Sequence, residues 1–169
     1  MFLKRDIVSS VGPLQLSAGQ EGGCEAVIHA MEELYQSEDC EAILLVDATN
    51  AYNSLNRATS LLNIRHICPE FSTYIINTYR TPVKLYLPGG EFIMSTEGTT
   101  QGDNAASGFY SISILPLIKM LAEILHIRQI WYADDAAAGG FLPLGRRRGV
   151  NSALEHNHQA LHIKLTPEL

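Results

Sequence analysis

Two apolar runs in this chain lead straight into acid. Ala42-Ile43-Leu44-Leu45-Val46 is followed by Asp47, and Ile130-Trp131-Tyr132 reaches Asp134-Asp135 across a single alanine. A continuous apolar run of this length suits a strand buried on both faces. Solvation does not explain a carboxylate at the end of such a strand. If the two strands are neighbours, three carboxylates meet at one edge of a sheet. Like charges about 4 Å apart repel by roughly 4 kcal/mol at an effective dielectric of 20. A fold that gathers Asp47, Asp134 and Asp135 is therefore expected to hold divalent metal between them.

The chain has 169 residues, which suits one domain with one core. With 46% hydrophobic and 18% charged residues, the composition is globular. Cys24, Cys40 and Cys68 are widely spaced and form no Cys-x-x-Cys pair, so neither a disulfide framework nor a zinc site is expected. A reduced, intracellular setting fits best. No secretory signal is visible at the start. The uncharged stretch 104–118 is too short to span a membrane and reads as a buried helix. The net charge of −6 argues against a free-standing nucleic-acid binder. Residues 21–47 carry eight acids and no Lys or Arg, most of them on a solvated helix face.

Apolar Val27, Ile28, Met31 and Leu34 follow Gly22-Gly23 at helical spacing and predict a helix ending near Tyr35. The strand 42–46 comes next. Asn53 or Ser54 is expected to cap a helix through Leu62, and Pro69-Glu70 to start another through about Tyr79. Segments 83–87 and 91–95 flank Pro88-Gly89-Gly90 as a hairpin. A long helix is predicted over 105–125, with a kink at Pro116. Segments 127–132 and 136–139 flank Ala133-Asp134-Asp135 as a second hairpin whose tight turn bears carboxylates. This order reads as α+β, an antiparallel sheet packed by helices. Gly139-Gly140 punctuates the end of the domain 1–140, and 141–169 reads as a separate, unassigned tail.

An isolated Asp in a turn is most often a turn former. The pairing with Asp47 makes Asp134-Asp135 a metal candidate, with Asp134 as the bridging ligand. Tyr52 lies on the loop leaving the first strand. It is either an aromatic core residue or a ring beneath the sugar of a nucleotide, where it excludes a 2′-hydroxyl by volume. Gln101-Gly102 precedes the long helix. Glycine allows close backbone approach to a ligand, and Gln101 both donates and accepts hydrogen bonds. The plainer alternative is a glycine turn with Asp103 as the helix cap. Arg57 reads as a helix salt bridge rather than a nucleic-acid contact. His156, His158 and His162 read as a surface helix, and Arg146-Arg147-Arg148 as a solvated loop.

Val46-Asp47-Ala48-Thr49-Asn50-Ala51-Tyr52-Asn53 resembles motif A of reverse transcriptases. Gln101-Gly102-Asp103 is similar to their motif B, and Tyr132-Ala133-Asp134-Asp135 to their motif C, the Tyr-x-Asp-Asp signature. The order and spacing also agree, and Asn50 to Arg57 is most like a eukaryotic retroelement (retrotransposon) enzyme. The resemblance covers about residues 4–140. It implies a polymerase-type palm with partial fingers, residues 54–99 belonging largely to the fingers, and no thumb. It implies catalytic, metal-binding Asp47, Asp134 and Asp135, with the backbone carbonyl of Ala48 joining the metal shell. Tyr52 becomes the steric gate, and Gln101 and Gly102 contact the incoming nucleotide or the template.

The implied activity is that of an RNA-directed DNA polymerase, a nucleotidyltransferase that adds deoxynucleotides to a primer 3′-hydroxyl. It uses two Mg2+ ions, with Mn2+ as the alternative. The implied partners are an RNA template, a DNA primer and deoxynucleoside triphosphates, with further fingers and thumb segments required and no membrane. The rival expectation is an inactive or domesticated remnant that keeps the fold. Three departures bear on this. Asn104 stands where motif B has proline, Lys4 and Arg5 are the only stub of the basic fingers residues, and no motif D lysine aligns, although Lys164 is available.

Overall fold

The apolar run after Cys40 forms β1 (Ala42–Thr49), the strand on which the rest of the fold is organised. A computed structural model describes residues 2–100, 102–125, 128–140 and 164–167. Gln101, Arg146-Arg147-Arg148 and the three histidines from His156 to His162 lie outside the described residues. Strand β5 (Asp135–Gly140) pairs antiparallel with β1, and β4 (Arg128–Tyr132) pairs antiparallel with β5. The sheet order is β4-β5-β1-β6, where β6 (Lys164–Pro167) lies antiparallel along the far edge of β1. Four residues of the stretch expected to be a separate tail thus complete the sheet. A short β-run with no glycine punctuation around it leaves little trace in sequence periodicity.

The two faces of the sheet are covered differently. Val46, Ala48, Trp131 and Ala136 belong to the main core with α6 (Ala106–Leu125). Helix α6 is buried over most of its middle, including Phe109, Tyr110, Ile112, Ile114, Leu115 and Ile118, as its near-continuous apolar character dictates. Pro116 sits on its exposed side, where a missing N–H does least harm. Gln129 anchors the strand to this helix by donating to the Ile118 carbonyl at 2.8 Å, and it accepts from the Trp131 indole at 2.8 Å. The opposite face is crossed by α2 (Gly23–Gln36). Leu34 packs so closely on Gly139 that a Cβ there would stand 2.9 Å from the Leu34 side chain.

Helices α1 (Phe2–Val11), α4 (Arg57–Ile67) and α5 (Pro69–Tyr79) complete the helical layer with α6. Helix α5 and the β2 (Val83–Tyr86) and β3 (Phe92–Ser95) hairpin form where the sequence placed them. The expected single helix capped at Asn53 or Ser54 is instead two. A one-turn α3 (Ala51–Ser54) ends at Leu55, and α4 is capped by Asn56, whose side chain accepts from Thr59 N at 2.9 Å. Asn56 is the better cap because its backbone is extended while Asn53 is inside a helical turn. Helix α1 carries no clear sequence signal, because its first turns are mixed in charge. No helix among the described residues is long and apolar enough to cross a membrane.

Candidate active site

Strand β1 carries Asp47 into the sheet rather than to its very end, with two more strand residues beyond it. In the β1–β5 register Asp47 lies directly opposite Asp135, and in the β4–β5 register Asp135 lies opposite Tyr132. Directly opposed residues of antiparallel strands project to the same face. Asp47, Asp135 and Tyr132 accordingly line one cavity of about 270 Å³ with Val27 and Met31 of α2, Leu45 and Ile130. Both carboxylate residues are exposed. Two segments distant in the chain thus bring this pair of carboxylates to one face of the sheet.

Asp134 is placed differently. The two-residue loop of the β4–β5 hairpin is Ala133-Asp134, and Ala133 has a φ of +54°. That is the position where tight hairpin turns put glycine. Asp134 lies on the turn, half-buried, and its charge opposes ionisation of Tyr52 and Tyr110. Among the described residues no group of three or more His, Cys, Asp and Glu side chains is arranged to hold a metal ion. The donor set is thus an opposed pair, Asp47 and Asp135, with Asp134 beside it on the turn. An opposed pair of hard oxygen donors suits Mg2+, which takes one or two carboxylates and completes its shell with water and phosphate.

Beyond Thr49 the chain reverses through Asn50, whose φ of +54° asparagine tolerates better than most residues. Its backbone carbonyl accepts from Asn53 N and Ser54 N, which closes α3 and presents Tyr52. The Tyr52 ring stacks on buried Tyr110 of α6, with centroids 4.6 Å apart and planes at 20°. Burial raises the Tyr52 pKa, a hydrogen bond with Ser107 opposes the rise, and Asp134 adds to it. Burial also pushes Tyr110 far up, helped by Asp134. Tyr132 is raised first by a hydrogen bond with Cys24 and then by burial. One face of the Tyr52 ring packs on Tyr110, and the residue is half-buried near Asp134 of the carboxylate turn.

Behind Tyr52, residues 97–100 and 102–103 form a hydrogen-bonded support. Thr99 N donates to the Tyr52 carbonyl at 2.7 Å and Gly98 N to the Leu55 carbonyl at 2.8 Å. Gly98 has a φ of +64°, and a Cβ there would meet the Tyr52 carbonyl oxygen at 2.4 Å. Arg57 is buried and holds this segment: its guanidinium donates to the carbonyls of Ser95, Glu97 and Gly98 and to Ser95 Oγ at 2.8–2.9 Å. Neither expectation for Arg57 matches this, because its partners come from a loop some forty residues on, invisible to helical spacing. Gly102 has a φ of +87° in the turn closed by Asp103 N and the Thr100 carbonyl, with open space around it. Asp103 accepts from Ala105 N at 2.9 Å in the turn just before α6, and it also accepts from the Tyr79 hydroxyl.

The chain is similar in fold to a telomerase. The matching solved structure is telomerase from Candida albicans in complex with a TWJ fragment of telomeric RNA. The TM-score is 0.67 at 9% sequence identity, over 98% of this chain and 33% of the telomerase chain. This chain thus spans a third of that telomerase's length. No family model matches the sequence. No curated protein matches it. The likeness to telomerase shows the fold: a mixed α/β arrangement with antiparallel sheets, of polymerase-like form.

One residue of the site escaped sequence reasoning altogether. Gln15 is fully buried and reaches the carboxylate turn, donating to the Ala133 carbonyl at 2.9 Å and accepting from Ala133 N at 2.7 Å. The only cue to it in sequence is an amide residue between Leu14 and Leu16.

Proposed function

We propose that this chain is the palm with partial fingers of a reverse transcriptase, and that it performs RNA-directed DNA synthesis by metal-dependent nucleotidyl transfer. The observation that carries the reading is the opposition of Asp47 and Asp135 across β1 and β5, on a Tyr-Ala-Asp-Asp hairpin whose turn residue Asp134 acts on Tyr52. The polymerase-like fold supports it. Asp47, Asp134, Asp135 and the carbonyl of Ala48 would hold two Mg2+ ions, which when bound activate a primer 3′-hydroxyl and neutralise a leaving pyrophosphate.

The remaining roles belong to the chain itself. Tyr52, braced from behind by Tyr110, limits the space beside the sugar and selects against a 2′-hydroxyl by clash. Gly102, in open space, leaves the backbone of its turn approachable by a nucleotide or template, with Gln101 beside it. With a net charge of −6, phosphate contacts depend on basic segments of a longer polymerase.

Primer extension on an RNA template with Mg2+ tests the reading. The chain incorporates deoxynucleotides, Asp134→Asn does not, and Tyr52→Ala raises ribonucleotide use. Equal incorporation by the chain and Asp134→Asn removes Asp134 from the chemistry. No incorporation by either, with the missing segments supplied, points to a remnant that keeps only the fold.

A further inference from the structure

We propose that Gln15 is a positioning residue for the carboxylate turn: its buried carboxamide holds Ala133 at positive φ and so sets where Asp134 and Asp135 stand. The inference rests on the metal-dependent reading above and deepens it.

A two-residue hairpin loop leaves the peptide groups of its loop residues outside the ladder. At Ala133 both groups are turned on one partner. The Ala133 N–H donates to Gln15 Oε1 at 2.7 Å, and the Ala133 carbonyl accepts from Gln15 Nε2 at 2.9 Å. An alanine at a φ of +54° is strained, and such strain persists only where the surroundings over-determine it. The two-point contact is what over-determines it here. Ala133 is followed at once by Asp134 and Asp135, so a change in its φ swings both carboxylates.

Gln15 is itself held. Its Oε1 also accepts from Ser17 Oγ at 2.9 Å and Ser17 N at 3.3 Å, and Ser17 Oγ pairs with Ser111 Oγ of α6 at 3.2 Å. Leu16 N donates to the Trp131 carbonyl at 2.9 Å, which docks this segment along β4. The preceding 3-10 turn (Gly12–Leu14) delivers Gln15 in extended conformation. A carboxamide supplies both a donor and an acceptor in one plane, as the Ala133 peptide requires. No aliphatic side chain does this, and a carboxylate supplies only the acceptor.

The test is Mn2+ binding to the whole chain, titrated by electron paramagnetic resonance, with thermal unfolding to show that each variant is folded. Gln15→Met fills similar volume without the amide and is expected to bind Mn2+ about 10- to 100-fold more weakly, the usual effect of removing a group that orients metal ligands. Ala133→Gly added to Gln15→Met restores much of the loss, because glycine takes positive φ freely. A residue that merely fills the core would show no such rescue. Should Gln15→Met fail to fold, Gln15→Asn keeps an uncharged carboxamide that is too short to reach both Ala133 groups, and it shows a smaller loss with the same rescue.

Binding by the folded Gln15 variant within about twofold of wild type, or a loss that Ala133→Gly leaves untouched, overturns the proposal. Asp135→Asn separates it from the reading beneath. Wild-type binding that depends on Asp135 and not on Gln15 sinks the positioning role alone. A wild-type chain that binds no Mn2+, or binds it equally with Asp135→Asn, sinks both.

Discussion

Replacing Arg57 with alanine should unfold the support behind Tyr52 before anything else. Four side-chain hydrogen bonds from the guanidinium fan out to the Ser95, Glu97 and Gly98 carbonyls and to Ser95 Oγ. Hydrogen bonds from a charged donor contribute about 1.5–3 kcal/mol each, so four amount to about 6 kcal/mol at the low end before water is counted. Three of the four lie in partly solvated surroundings, so water re-bonds some of the abandoned carbonyls. The guanidinium also sits 5.4 Å from the centre of the Tyr79 ring, a contact of about 0.5–1 kcal/mol at such sites.

The expected cost of Arg57→Ala is therefore about 3–4 kcal/mol, a large share of the stability of a domain this size. Arg57→Lys keeps the charge, but its single ammonium cannot span acceptors from three residues, and about 2 kcal/mol should still be lost. Urea unfolding of the three proteins at neutral pH reads both values. A loss below about 1 kcal/mol for Arg57→Ala would show that these bonds add nothing over water. A wild-type midpoint for Arg57→Lys would show that the charge matters and the fork does not.

Gly98→Ala should cost at least about 3 kcal/mol, because left-handed strain adds to a clash with the Tyr52 carbonyl oxygen. Gly102→Ala has only the strain, about 1–2 kcal/mol, and equal losses in chemical denaturation would refute the close approach at Gly98. Mg2+ at ten times its dissociation constant should raise wild-type stability by about 1.4 kcal/mol, and Asp47→Asn with Asp135→Asn should abolish the gain in thermal unfolding. A gain that survives the double substitution places the ion elsewhere. Tyr79 is raised to about 12 by burial first and then by its hydrogen bond to Asp103. Its folded pKa lies above the unfolded value of about 10, so its contribution is complete below pH 10 and is lost as pH rises towards 12. Tyr79→Phe should flatten that part of the stability curve, and an unchanged slope would remove Tyr79 as its source.

Much of the scaffold was readable in the sequence. The 3–4 spacing from Val27 to Leu34, the proline at the head of α5 and the Pro88-Gly89-Gly90 turn each act through local backbone physics, and each element formed where its signal lay. The junction after β1 is ambiguous in sequence because Asn53, Ser54 and Asn56 are all competent caps, and side-chain chemistry alone does not choose among them. The choice came from Asn50, whose left-handed turn starts α3 at Ala51, and from Leu55, whose extended backbone ends it after one turn. The role of Arg57 is hidden from the sequence because its partners are distant in the chain.

Local signals, then, told where strands, helices and turns begin, and which strand ends carry acid. That much follows from periods and punctuation that depend on neighbouring residues only. The pairing of Asp47 with Asp135 rather than Asp134, the addition of β6 to the sheet and the grip of Gln15 on Ala133 were decided by the tertiary structure. Register and two-point hydrogen bonding are properties of strands and side chains far apart in the chain. A one-residue shift in either strand would turn one of the two carboxylates to the opposite face.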